Sequence, residues 1–174
     1  MRQVFDQREI KLPMRNRFEI VREKMHIHGM DRISQTAKQT AQRCAAVSVL
    51  RAGRSVTRLF DDALRPVGLT IAQFGLLNAI ASYRPDSISA IGEMLDIDRT
   101  TLSRNLALLQ REGLIMLGTP GPDRKREVLL TVKGAEKIEE ALPLWEAAQR
   151  RIEALFEPGE YDMLKKALSR IRHV

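Results

Sequence analysis

Residues 89–119 read SAIGEMLDIDRTTLSRNLALLQREGLIMLGT. After Asp98 the apolar residues Leu102, Leu106 and Leu109 return at helical spacing, while Thr100, Arg104, Ala107 and Arg111 fall on the opposite side with Ser103 at its edge. Asp98 marks the start of this helix. Its carboxylate can accept from the unpaired amides of the first turn, and Ile97 and Leu102 stand at staple spacing around it. A shorter amphipathic helix precedes it across a tight turn, and beyond Gly113 the run Leu114-Ile115-Met116-Leu117 reads as a strand. Two short helices, a turn and a strand make the pattern of a helix-turn-helix with a wing.

The outward side of the second helix is short-chained at its front and carries an arginine. Such a surface suits a major groove, where Arg bonds guanine edges bidentately and Ser or Thr reaches phosphate or base. A solvated face that only keeps a protein in solution has the same composition, so the helix alone does not decide. The downstream residues do. A Gly/Pro turn, then Asp123-Arg124-Lys125-Arg126, then Val128-Leu129-Leu130 make a hairpin whose basic tip lies just past the helix. The candidate DNA contacts are therefore Arg99, Thr100, Thr101, Ser103 and Arg104 on the helix, and Arg124, Lys125 and Arg126 on the hairpin.

From about Arg43 to Ile171 the chain resembles the MarR (multiple-antibiotic-resistance regulator) family of winged-helix transcription factors. The likeness is carried by GLTIAQFGLL, by IDRTTLSRNLALLQREGLI and by LTVKG. It implies a mainly α fold with a small β-hairpin wing, a homodimer on palindromic double-stranded operators, and release by a small-molecule effector. Two departures stand out. Asp96 occupies the turn position where the family usually has glycine, and Asp tolerates a left-handed backbone better than most residues. The acidic residue that the family places two positions before its wing arginine is here adjacent, as Asp123 beside Arg124. A deletion within the strand would turn Val128 and Leu130 to the wrong face, so the change is assigned to the turn between Gly118 and Pro122.

The rest of the chain is organised around this head at 69–131. Residues 1–35 hold no sustained pattern and read as an extension, flexible or partly helical. Val47, Leu50, Val56, Leu59, Phe60 and Ala63 recur near helical spacing and predict one long helix over 36–64, ended by Pro66. Thr70 and Gln73 form a capping box, with Leu69 stapled to Phe74. Ile88 is expected to add a short strand to the wing and Ser89 to cap the next helix. Thr131 should cap a long helix through Trp145 with a kink at Pro143, and Pro158 should open a last helix with Leu164, Leu168 and Ile171 on one face. The helices of 36–65 and 132–174 carry more apolar stripe than a small head needs, which reads as dimerisation.

Composition sets the limits. The 174 residues allow one ordinary domain with one core, and the 44% hydrophobic and 29% charged content is globular. A formal charge of +7 favours polyanionic partners without choosing among DNA, RNA and membrane. No apolar run reaches membrane-spanning length, no signal-peptide pattern opens the chain, and a cytoplasmic protein is the simplest reading. The three histidines, His26, His28 and His173, lie near the chain ends, and no paired-carboxylate, phosphate-loop or metal spacing is present, so neither an enzyme nor a cofactor is expected. The run Met25-His26-Ile27-His28-Gly29-Met30 has soft-metal residue types but no further ligands nearby. Cys44 is the only cysteine. The peroxide-sensing branch of the resembled family has a cysteine near this position, but aligned through Thr57 it falls two residues off, and the thiol's tyrosine partners become Phe60 and Ile71. A core cysteine is the expectation. Phe60, Phe74, Met94 and Trp145 are candidates for a ligand pocket, although core packing explains each as well. The remaining alternative is a winged-helix module that binds DNA without sequence choice, or binds protein, with no ligand control.

Overall fold

The computed structural model describes residues 30–83, 85, 87–119 and 126–171. The order is α1 Met30–Arg43, α2 Ala45–Leu64, α3 Ile71–Tyr83, α4 Ile88–Leu95, α5 Arg99–Arg111, β1 Ile115–Leu117, β2 Val128–Leu130, α6 Val132–Glu153 and α7 Glu160–Ile171. This is the expected mainly α architecture with a two-stranded hairpin. Residues up to Arg51 and from Ala52 onward separate into two compact units, the boundary falling inside α2.

In the first unit the single helix read over 36–64 is interrupted. It begins earlier, at Met30, and breaks at Cys44, which belongs to neither α1 nor α2. The Ser48 amide and hydroxyl both donate to the Cys44 carbonyl, at 3.2 and 3.3 Å, so the first backbone bond of α2 starts from Cys44 and is doubled by a side-chain bond. Cys44 is half-exposed, not the core residue expected, and among the described residues it is a free thiol.

The second unit is built on α3. Its sequence IAQFGLLNAIASY holds no acidic or basic residue and is apolar nearly all round, which suits a helix surrounded by others. It contacts α6, β2, α4 and α5, and Phe74, Leu76, Leu77, Ala79 and Ile80 are buried. The predicted capping box is present: the Gln73 amide donates to Thr70 Oγ1 at 3.3 Å and the Thr70 amide to Gln73 Oε1 at 2.9 Å. A third tie comes from outside, where the Ile71 amide donates to Asp61 Oδ1 at 2.8 Å.

Three details differ from expectation. Ile88 is helical, not a strand, and the sheet among the described residues has only β1 and β2, antiparallel with Ile115 opposite Leu130 and Leu117 opposite Val128. Ser87, not Ser89, caps α4 by accepting from the Ala90 amide at 3.1 Å. Both serines are chemically able to cap. Starting at Ile88 places Ile91 in the core with no exposure, so tertiary packing selects the earlier one. The last helix starts at Glu160, after Gly159 at φ 88°, so Pro158 precedes the helix without opening it.

At Thr131 the chain makes its tightest joint. The Thr131 hydroxyl accepts from the Gly134 amide at 3.0 Å and donates toward the Gly113 and Leu114 carbonyls, at 2.7 and 3.0 Å. Gly134 is buried here. A Cβ on it would lie 2.1 Å from the Leu114 carbonyl oxygen, so only glycine lets α6 rest on the turn between α5 and β1. Lys133 completes the joint, its ammonium donating to the Glu112 carbonyl at 2.7 Å, where the dipole of α5 favours a cation.

Candidate nucleic-acid interface

The interface is built from the turn outward. Asp96 adopts φ 53° and ψ 45°, the left-handed conformation its substitution for glycine requires. From it the Ile97 amide reaches back to the Gly92 carbonyl at 3.0 Å. Gly92 matters too, because a Cβ there would meet Leu102 Cδ2 at 3.3 Å and the Ile97 carbonyl oxygen at 3.4 Å. Close approach of α4 to α5 is what that glycine permits, a role not apparent in the sequence.

α5 then starts as predicted. Asp98 Oδ1 accepts from the Thr100 and Thr101 amides at 3.0 and 2.9 Å. The Thr101 side chain first, and then the amides, holds the Asp98 carboxyl below its ordinary range, so the cap is charged and complements the positive end of the helix. Leu102, Leu106 and Leu109 are buried beneath. Arg99, Thr100, Thr101, Ser103 and Arg104 all face solvent, as do Ala107 and Arg111. The polar side is therefore fixed outward by the leucines that lock the other side in.

Arg126, at the base of the wing, is exposed and is brought to Arg99 and Ser103, with which it lines an open cleft of about 940 Å³ between α4 and the start of α5. Glu93, Asp96 and Asp98 line the same cleft, so its arginines stand among carboxylates that sequence reasoning had not linked to the interface. Arg124 and Lys125, the other two hairpin candidates, and most of the turn expected to be shortened lie outside the described residues, as does nearly all of the Met25-to-Met30 run. The strand faces are as required: Val128 and Ile115 point inward, Leu129 and Met116 outward.

A second concavity, about 280 Å³, opens between α3 and α6 and is lined by Ile71, Phe74, Gly75, Asn78, Leu142 and Trp145. Phe74 and Trp145 were candidates. Phe60 is buried behind them, its ring 6.3 Å from that of Trp145, with Phe74 at 6.2 Å from the same indole. Met94 is half-buried on α4 and is not among the lining residues. Ile71, Phe74, Gly75 and Asn78 recur at i, i+3, i+4 and i+7, a helical face that marks the wall from sequence once Phe74 is placed. Among the described residues no group of His, Cys, Asp and Glu could hold a metal ion, and no single helix is long and apolar enough to cross a membrane.

Known proteins share this arrangement. The MarR family profile matches residues 67–126. The transcriptional regulator MosR of M. tuberculosis superposes with a TM-score of 0.68 at 30% identity, over 76% of this chain and 96% of MosR, and its complex with DNA gives 0.67 at 32%, over 74% and 93%. The transcriptional repressor CouR bound to a 23-mer DNA duplex gives 0.69 at 26%, over 76% and 95%, and CouR bound to p-coumaroyl-CoA gives 0.68 at 25%, over 76% and 94%. An HTH-type transcriptional regulator of Bacillus cereus is 28% identical over 95 residues, 55% of this chain, and the match spans 63% of that relative's length.

Proposed function

The chain belongs to the MarR family of transcriptional regulators, and from that membership we propose that it is a cytoplasmic, homodimeric repressor that binds a palindromic operator and is released by a small ligand. In this reading residues 69–131 are the DNA-binding head, residues 36–65 and 132–174 the dimerisation helices, and residues 1–35 an extension. The observation that carries it is the outward face of α5. A charged cap and three buried leucines hold Thr100, Ser103 and Arg104 toward solvent on a helix of major-groove dimensions. DNA-bound MosR and CouR support the reading, and CouR with p-coumaroyl-CoA supports ligand control.

In this proposal Arg104 reads a base and Lys125 and Arg126 hold phosphate. Losing a bidentate base contact costs ~1–3 kcal/mol on the cognate site and little elsewhere. Losing a phosphate contact weakens every sequence and flattens the salt slope by about one unit. Operator and scrambled-duplex affinities across a salt series test the assignment. Arg104→Ala should shrink the specific-to-nonspecific ratio, and Lys125→Ala should lower both affinities together. An Arg104→Ala protein that loses both equally makes Arg104 a phosphate clamp.

A further inference from the structure

We propose that α1 is a second DNA-contacting element, whose face of Arg32, Gln35, Gln39 and Arg43 docks on the phosphate backbone of double-stranded DNA without reading its sequence. This goes beyond the helix-turn-helix and the wing, and it rests on reading the chain as a DNA-binding protein.

Charge is divided unevenly between the two compact units. Of the formal +7, residues 1–51 carry +6 and residues 52–174 carry only +1. A strongly basic segment beside a near-neutral one favours a polyanion as its partner.

A surface that only has to stay solvated mixes its signs, and the second unit does so. Arg65 with Asp62, Lys137 with Glu140, Arg150 with Glu146 and Lys165 with Asp162 all join residues three or four apart. In the first unit the positions three and four residues from Arg32, Lys38 and Arg43 hold no carboxylate, and among the described residues none of these cations makes an ion pair. Gln35, Gln39 and Gln42 stand where glutamates would pair with them. Amides keep the helix polar and supply donors for phosphate oxygens, without the repulsion that a carboxylate would bring to a polyanion.

The spacing fits a duplex. Arg32 and Arg43 lie about three turns apart and project from one side of α1, ~16 Å from each other along its axis. A major groove is ~12 Å wide, so two arginines at that separation can reach phosphates on both of its edges. Gln35 and Gln39 lie between them on the same side, and Ile33, Ala37 and Ala41 on the opposite side are left to the dimerisation proposed above. Every residue from Arg32 to Arg43 is exposed. A membrane surface is the other polyanion to weigh, but α1 has no Trp, Phe or Leu to bury among lipids.

Full-length protein is titrated with a random-sequence DNA duplex across a salt series. Glutamine ranks with arginine in helix propensity, so Arg32→Gln with Arg43→Gln removes the charges and keeps the helix. This double variant should bind roughly tenfold or more weakly at ~0.1 M salt and flatten the salt slope by about two units. Arg32→Lys with Arg43→Lys keeps a point charge for each phosphate and should retain the slope. Lys137→Gln with Arg150→Gln removes the same charge from cations that are already paired, and should flatten the slope less. Equal flattening by the two glutamine pairs, or a slope that the Arg32 and Arg43 changes leave intact, overturns the proposal. Phosphatidylserine vesicles should leave the protein unbound; vesicle binding that needs Arg32 and Arg43, with the DNA slope unmoved, assigns the face to a membrane instead. An unmutated protein that does not bind the duplex sinks the DNA-binding reading as well, whereas intact binding with an unmoved slope removes only the role of α1.

Discussion

Leucines of two regions meet opposite fates. In the head, Leu102, Leu106, Leu109 and Leu114 are at most 2% exposed, whereas Leu155, just past the end of α6, and Leu164 and Leu168 along α7 are 74%, 37% and 42% exposed. Both sets recur at helical spacing, so periodicity alone does not separate them. The head completes its own core: α3 fills the centre, Gly92 lets α5 approach α4, and Gly134 lets α6 sit on the turn after α5. The terminal helix presents an apolar stripe that the described residues of its own chain leave exposed. The difference is between burial achieved within one chain and burial that needs another surface, and the second kind is the physical ground for proposing a dimer.

The sharpest way to break the head is Gly134→Ala. Overpacking a filled site costs ~1–3 kcal/mol, and here the added carbon meets a backbone oxygen that is already fixed by Thr131, so the loss should exceed about 3 kcal/mol. Urea unfolding measures it through the midpoint. Gly75→Ala is the control, expected to stabilise by ~0.5–1 kcal/mol because the same change there adds helix propensity and meets open space. Equal destabilisation by both would mean that the close approach at Leu114 is not what Gly134 serves.

The terminal stripe should fail differently. Leu168→Glu removes about 1.5–3 kcal/mol of burial only if the stripe is covered in solution. Sedimentation should then show monomers at concentrations where the unmutated protein is dimeric, with helical content unchanged. Leu106→Glu, placing a charge in the head core, should unfold the protein instead. A Leu168→Glu protein that sediments unchanged removes α7 from the interface.

The same contrast explains what could be read along the chain. α5 was readable because cap, staple and apolar period all lie within a dozen residues, and the Thr70–Gln73 box and the Thr131 cap are equally local. The break at Cys44 carries no Gly or Pro to announce it. Ser87 and Ser89 compete for one cap, and only the burial of Ile91 decides between them. Gly92 and Gly134 were silent because each meets its partner across the fold. In the cavity, the aromatic residues were found by type, but Asn78 and Gly75 needed the placement of α6 against α3. Distance along the chain, more than strength of interaction, limited the reading.

The smallest effect lies in two carboxylates, one from each region. Asp98 is held below its ordinary range by the Thr101 side chain and the first amides of α5; Asp162 is lowered by its hydrogen bond and charge contact with Lys165, 2.8 Å away on exposed α7. For both, the folded pKa lies below the unfolded one, so each contributes stability that is fully present above the ordinary carboxylate value of 3.8 and is lost as pH falls through the lowered folded value. Salt should tell them apart. An exposed ion pair is screened, whereas cap hydrogen bonds to backbone amides persist. Melting temperatures of Asp98→Ala and Asp162→Asn, each subtracted from the unmutated protein across acidic pH at low and high salt, give the comparison. The Asp98 difference should shrink with acid and largely survive salt, because alanine removes the hydrogen-bond acceptor together with the charge. The Asp162 difference should shrink with either. An Asp98 difference that does not change with pH would mean that the cap acts through its geometry alone, and that the charge at the start of α5 does nothing for the helix proposed to face DNA.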